Sequence, residues 1–386
     1  MGIYLNNAAT TYPKPESVSG AVFDFMTNHG ANFSRGSASV RDLGSMNVVL
    51  DARESLAVFF GAQASELVTF TSNVTHSLNT VINGYLRPGM CVLTTSMEHN
   101  AVIRPLRELE SHGVVVKIMQ CDSEGYLQPE TLRRHLEQRA DLVVLSHASN
   151  VCGSVQDLPV ISEICAKKSV PIVIDAAQSA GHIELDITEL NLSAICFTGH
   201  KGLWGPQGIG GIVWNEKFAA RCAPLVRGGT GSFSHEETQP TAMPDKFESG
   251  TPNMPGIAGL AAGIEFINAV KINDIAAKED KLGKKLYDGL REIPGLVLHG
   301  PGYDKPRLPV FAMNFGHIDN AMAADILSRE FVVETRPGLH CSPLAHKTLG
   351  SFPHGALRIS PGYFNTEEEI SYTLRALHKI SRKGNS

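Results

Sequence analysis

"PIVIDAAQSAGH", residues 171–182, opens on an apolar run and ends it on an acid, Asp175. Gln178 follows three residues later. The next apolar run, "LSAICFTGHKG" at 192–202, ends on Thr198, His200 and Lys201. Both runs are rich in Ile, Val and Ala and lack clean alternation, as strands buried on both faces do. Four more runs of this kind precede them: "ELVTFTS" from 66, "MCVLTTS" from 90, "GVVVKIMQ" from 113 and "DLVVLSHAS" from 141. Helix-like segments at 75–86, 99–112, 128–138 and 157–168 lie between the strands. That alternation predicts a mostly parallel α/β sheet, whose ligands bind beyond the carboxyl ends of the strands.

Beyond about residue 215 the pattern changes. "RGGTGSFSHEETQPTAMPDKFESGTPNMPG", 227–256, is polar and punctuated by Gly and Pro, and reads as a long loop. One helical stretch follows over about 255–292. Then come strands in "GLVLHG", "LPVFAMNF" and "FVVETRP", a helix near 319–329 and another near 366–382. These predict a smaller α+β unit. The expected division is a large domain over 15–255 and a small one built from 1–14 and 256–386.

Composition excludes several classes. The chain has 386 residues, 42% hydrophobic, with a formal net charge of −5, so it lacks the basic footprint of a nucleic-acid binder. The start, "MGIYLNNAATT", has no basic and apolar leader, and no apolar run approaches the length of a membrane span. The expectation is a soluble, cytoplasmic protein with no nucleic-acid or membrane partner. Seven cysteines, none in a C-x-x-C pair, argue against a disulfide framework or zinc ribbon, and the 15 histidines show no metal-binding spacing. No metal is expected. Cys196, inside an apolar strand, reads as a core residue.

An acid and a lysine at neighbouring strand ends are either an ion pair or a cofactor site. Pyridoxal phosphate needs a lysine to bond its aldehyde, a carboxylate to keep its ring nitrogen protonated, and donors for its phosphate. Lys201 and Asp175 fit the first two needs. Thr198 and His200 are candidate phosphate donors, as is "TSNVTHS", where Val74 and Thr75 open a helix. His99 also follows a strand and either caps the next helix or stacks on the ring. The glycines of "GPQGIGG" read as a turn between strands rather than a dinucleotide loop. Cys341 sits in "RPGLHCSPLAH", 336–346, where a loop is expected rather than a core. It is either a reactive thiol or a loop cysteine without a role. Arg358 is either a carboxylate clamp or a surface charge.

Taken together, "YLNNAATT", "SMEHNA", "SHASNVCGS", "IDAAQSAGH", "FTGHKGLWGPQGIGG", "FESGTPN" and "RPGLHCSPLAH" resemble the class V aminotransferases, most closely the cysteine desulfurases and selenocysteine lyases. The resemblance implies a type I pyridoxal-phosphate-dependent transferase fold and a homodimer with shared active sites. It implies that Lys201 bonds the cofactor, Asp175 pairs with the ring nitrogen, Gln178 contacts the phenolic oxygen and His99 stacks on the ring. It implies that Val74, Thr75, Thr198 and His200 hold the phosphate, with Thr251 reaching it from the partner subunit. Asn150, Arg358 and Arg35 would bind substrate, and Cys341 would take sulfur from L-cysteine as a persulfide, passing it to an acceptor protein. Selenocysteine would serve by the same route. His340 and Arg336 are near enough in sequence to favour the Cys341 thiolate. In "GANFSRGSAS" Ser34 stands where the family often has a histidine, and the short segment from Cys341 to Arg358 is type II-like. Rival readings are another enzyme of the same fold (a C–S lyase, epimerase or transaminase) and a non-catalytic sulfur carrier or scaffold.

Overall fold

The computed structural model describes residues 2–31, 39–232 and 234–383. Among the described residues, thirteen strands form three sheets. A short parallel pair joins β1 (Ile3–Tyr4) to β11 (Val333–Glu334). The central sheet holds β2 (Val68–Thr71), β3 (Cys91–Thr95), β4 (Val115–Met119), β5 (Leu142–Ser146), β6 (Ile172–Asp175), β7 (Ala194–Thr198) and β8 (Gly210–Trp214). Their order is β2-β8-β7-β6-β5-β3-β4, parallel throughout except for β8, which runs antiparallel to both neighbours. A four-stranded antiparallel sheet, in the order β12-β13-β10-β9, uses β9 (Leu296–His299), β10 (Phe311–Phe315), β12 (Arg336–Gly338) and β13 (Ala356–Ile359).

The interior strands of the central sheet are buried along their whole length, and the period of two divides their side chains between two cores. Val143, Leu145, Ile172, Ile174, Ile195 and Phe197 enter one core. Leu142, Val144, Val173, Ala194, Cys196 and Trp214 enter the other. This double burial is why the sequence shows runs rather than alternation. Helices Val74–Tyr85, Asn100–Ser111, Pro129–Leu136 and Leu158–Lys167 make the crossovers, close to the ranges read from sequence. Cys196 is fully buried, as expected.

The stretch read as one helix over 255–292 is two, Met254–Val270 and Ile272–Arg291, bent by 80°. Lys271 lies between them at φ +77°, a conformation that interrupts the i→i−4 ladder. Met254, Ile257, Leu260 and Ile264 pack into the large core, whereas Leu282, Leu286 and Leu290 pack with β10 and β13. No single helix among the described residues is long and apolar enough to cross a membrane.

Candidate active site

The carboxyl ends of the parallel strands deliver the site. β6 ends on Asp175, β7 on Thr198 with Lys201 three residues beyond, β3 is followed by His99, and β2 by Asn73. Asp175 is buried, and its Oδ1 accepts from the Ala177 N–H at 2.9 Å. Burial raises its pKa, opposed by that N–H and by Lys201. Burial lowers the Lys201 ammonium from its usual range to about 8, against the pull of Asp175. His99 is a helix cap: its Nδ1 accepts from the Ala101 N–H at 3.0 Å at the start of helix Asn100–Ser111. That bond fixes the tautomer, leaving Nε2–H as the free donor. Burial, then Lys201, holds His99 at about 4, so the ring is neutral at pH 7. Gln178 is buried, and its Nε2 donates to Ala8 O at 2.9 Å.

The opposite end of the site is built for an anion. Asn73 caps helix Val74–Tyr85 by accepting from the His76 N–H at 3.0 Å. Thr75 is exposed in that first turn. Gly210 lies against this turn; a Cβ there would come within 2.9 Å of Asn73 Cα, so the close approach requires glycine. Nearby in the chain, Thr198 Oγ1 and His200 Nδ1 are buried without a protein partner. Buried polar atoms are nearly always satisfied, so a pair of orphans beside a lysine and a helix N-terminus suits a ligand rich in acceptors. A carboxylate, a lysine of lowered pKa, a neutral histidine and unpaired anion donors together fit pyridoxal phosphate.

Asn150 and Arg358 come together with the Cys341 loop. Arg358 is 2% exposed, its Nη1 donating to Asn150 O at 2.7 Å and its Nη2 to Asn6 Oδ1 at 3.0 Å. Its Nε is buried and unpaired. Burial, then Arg336, lowers its pKa to about 9. Cys341 is the exposed cysteine of the seven. It lines a cleft of about 440 Å³ with Thr75, Asn79, His99 and Arg104.

His340 does not sit as its sequence position suggested. Its ring is buried, Nε2 bonds Arg336 O at 2.9 Å, and Nδ1 meets His346 Nε2 at 3.2 Å. His346 Nδ1 in turn meets Ser351 Oγ at 2.7 Å. The chain closes if each histidine is neutral, and burial does lower His340 to about 3 and His346 to about 4. His340 therefore brings no positive charge to the thiol; it props the loop. Thr251 is exposed, two residues before Asn253, which caps helix Met254–Val270. Arg35 and Ser34 lie outside the described residues.

Two residues join the site that the sequence reading did not single out. Glu98, fully buried, accepts from Ser146 N–H at 2.9 Å and Ser146 Oγ at 2.8 Å, and from Thr95 Oγ1. Ser146 pairs in register with Asp175, so a second acid backs the first. Burial pushes Glu98 up to about 7. Its only sequence signal was its place before His99. Lys14 Nζ donates to His200 O at 2.8 Å, pinning the residue before Lys201, and burial lowers its pKa to about 7.

The buried histidines predict acid sensitivity. His99, His147, His200 and His346 titrate at about 4 and His340 at about 3, each lowered mainly by burial. In the unfolded chain histidine titrates near 6.5, so between these values the unfolded state binds more protons. Their stabilisation is present above about pH 6.5 and is lost as pH falls toward 4. Glu98 and Asp175, raised when folded, act in the opposite sense but are outnumbered. The urea midpoint should therefore fall steadily from pH 6.5 to 4; a flat or rising profile would contradict this.

The comparisons with known proteins agree with one another. The aminotransferase class-V family model matches residues 3–373. A probable cysteine desulfurase of Methanothermobacter thermautotrophicus is 31% identical, over 99% of this chain and 95% of that protein. A cysteine desulfurase of Shigella sonnei is 30% identical, over 98% and 93%. Among solved structures, the apo cysteine desulfurase of Thermococcus onnurineus superposes with a TM-score of 0.93 at 30% identity, covering 99% of this chain and 95% of the other. The cysteine desulfurase CsdA of Escherichia coli, in an S-sulfonic acid form, gives 0.88 at 26% identity, with the same coverage.

Proposed function

The chain belongs to the aminotransferase class-V family, and from that premise we propose that it is a cysteine desulfurase, converting L-cysteine to L-alanine with the sulfur left as a persulfide on Cys341. The observation that carries this reading is the exposed Cys341, on a loop tied to Asn150, which also holds the buried Arg358. The fold is the type I pyridoxal-phosphate-dependent one.

Pyridoxal phosphate, when bound, supplies the electron sink for bond breaking next to the substrate α-carbon. Lys201 would hold it, with Asp175 at the ring nitrogen, Gln178 at the phenolic oxygen, His99 on the ring face, and Val74, Thr75, Thr198 and His200 at the phosphate. Arg358 suits the substrate carboxylate, because its unpaired Nε and its fork geometry allow a bidentate contact. Asn150 and Arg35 are assigned to the same substrate. Lys201, with its pKa near 8, is able to take and return a proton at Cα near neutral pH. Neutral His99 keeps Nε2–H as a donor beside it. The Cys341 thiolate attacks the substrate sulfur: an S–S bond forms as the C–S bond breaks, the carbon keeps the electron pair, and a proton completes L-alanine. Cys341 keeps the sulfur as a persulfide for an acceptor protein. Selenocysteine fits the same steps.

A C–S lyase, epimerase or transaminase would use Lys201 and Asp175 without Cys341. An assay for alanine and sulfide from L-cysteine, with and without a thiol acceptor, separates them; racemised cysteine or a keto acid as the sole product would refute desulfuration. Asp175→Asn should keep the fold and weaken cofactor binding by roughly the 1.5–3 kcal/mol of a charge-assisted hydrogen bond. Unchanged affinity in a cofactor titration would reject its role.

The same reading makes the enzyme a cytoplasmic homodimer with Thr251 at the partner's phosphate. Its support is the exposure of Thr251 at the end of the long 227–253 loop. Thr251→Ala should then lose cofactor faster on dialysis, and full activity in a purely monomeric preparation would sink the idea.

A further inference from the structure

Three consecutive residues of the nucleophile loop are tied down, two of them by one side chain. Asn150 Nδ2 donates to His340 O at 2.8 Å, and Ser342 Oγ donates to Asn150 Oδ1 at 2.8 Å. The amide thus brackets Cys341 on both sides. Between these bonds, the Asn100 N–H donates to Cys341 O at 2.8 Å. Ser342 is fully buried, so its hydroxyl has no water to turn to. His340 and Cys341 lie at φ +50° and +59°, a left-handed pair that non-glycine residues hold only where surrounding contacts impose it.

The bracket is wired to the substrate site. Asn150 O accepts from Arg358 Nη1 at 2.7 Å, and Arg358 Nε is buried and unpaired. A carboxylate arriving on Arg358 engages that Nε together with the neighbouring Nη2, which Asn6 Oδ1 now holds, and draws on the Asn150 amide assigned to the same substrate. Both ends of the Asn150 amide are held by the loop: its oxygen accepts from Ser342 and one of its two N–H groups donates to His340 O. Rotation of the planar amide toward the carboxylate moves both ends together, and so breaks at least one of the two bonds holding residues 340 and 342. We infer that Asn150 and Ser342 form a latch that holds Cys341 in its left-handed conformation until a substrate carboxylate at Arg358 opens it. Ser342 is then a positioning residue for the nucleophile, and the thiol becomes free to move when there is a sulfur to receive.

This inference rests on the desulfurase reading only for what opens the latch; the bonds that close it do not depend on it. The test uses the holoenzyme and iodoacetamide, with alkylation of the Cys341 peptide followed by mass spectrometry. The other six cysteines are buried, so this thiol dominates the early signal. L-Alanine serves as probe, since it brings the carboxylate and amine without sulfur. Alkylation of the parent enzyme should accelerate several-fold with saturating L-alanine. Ser342→Ala should be fast already and gain little from L-alanine. Asn150→Asp, which turns the donor facing His340 O into an acceptor, should behave alike if Ser342→Ala folds poorly. Across pH 6–9 the midpoint of the alkylation profile should stay put while the plateau rises, which separates release of the loop from a change in thiol acidity. Equal rates in the parent and both variants, or no gain or a slowing with L-alanine in the parent, would overturn the latch. A normal persulfide yield alongside that result discards the latch and keeps the desulfurase. Fast alkylation of the variants, with no sulfur transfer from L-cysteine by the parent enzyme, does the reverse.

Discussion

Lys201→Ala should retain its fold and lose turnover of L-cysteine by at least about 10²–10⁴-fold, the contribution of a positioned proton-transfer group alone. Losing the covalent hold on the cofactor adds to that. The structure explains why this lysine suits both jobs. It follows β7, beside the carboxyl end of β6 that carries Asp175, and its main chain is fixed: Thr11 Oγ1 donates to Lys201 O at 3.0 Å and Lys14 to His200 O. Burial brings its ammonium down to about 8, so a useful fraction is neutral, and nucleophilic, near pH 7. A solvated lysine near 10.4 would be almost entirely protonated. The covalent incorporation of pyridoxal phosphate into apo-protein should accordingly speed up as pH rises and level off near 8, as read by absorbance of the bound cofactor. A profile still climbing toward 10 would show that the buried environment does not act as described. Normal turnover by the cofactor-loaded alanine variant would remove Lys201 from the mechanism altogether.

How much of this was legible in the sequence depended on whether a residue's task is local. Asp175, Thr198 and Lys201 are placed by the ends of strands buried on both faces, and such strands leave an apolar run in the sequence. His99 was legible for the same reason: it caps the next helix, and the capping bond at Nδ1 fixes the ring's tautomer, while its stacking on a cofactor ring is part of the proposed function. Tasks that join distant segments left no mark. Asn150 meets residues 340 and 342 across some 190 positions, and nothing around "SHASNVCGS" points there. The His340–His346 chain uses a spacing of six that fits neither a helix face nor a strand face; it needs the left-handed turn at 340–341. Glu98 reads as an ordinary acid until its burial beside Ser146 is seen. Helices Glu16–Asp24 and Val40–Phe59 also escaped the reading. Their apolar residues do not gather on one face: Phe23, Val40 and Val58 are 71%, 86% and 79% exposed. The break at Lys271 was hidden because lysine carries no turn preference of its own.

Cys341→Ala should bind the cofactor and L-cysteine yet leave no persulfide. The residues proposed to hold the cofactor lie on other elements, and Arg358 is anchored through Asn150 O and Asn6 Oδ1 rather than through Cys341. The fold should persist as well, because Cys341 is exposed and its main-chain bond to Asn100 survives the substitution, while alanine tolerates φ +59° no worse than cysteine does. What disappears is the acceptor for sulfur: with no thiolate to form the S–S bond, the substrate C–S bond has nowhere to send its sulfur. Sulfide release from L-cysteine should fall by at least about 10²-fold, in the range of losing a positioned group. Selenocysteine should keep a measurable part of its rate, since selenium leaves more readily without a nucleophile. A lyase or epimerase would lose little from this change, so the variant separates the rival reactions as well as testing the residue. The decisive measurement is mass spectrometry after brief exposure to L-cysteine. One added sulfur should map to the Cys341 peptide of the parent, vanish on thiol reduction, and be absent from the variant. The buried Cys91 and Cys121, whose thiols burial raises (Cys121 to about 12), are poor acceptors on both exposure and acidity. Sulfur found reproducibly on either of them, with Cys341 unmodified, would mean that the nucleophile lies on another part of the chain.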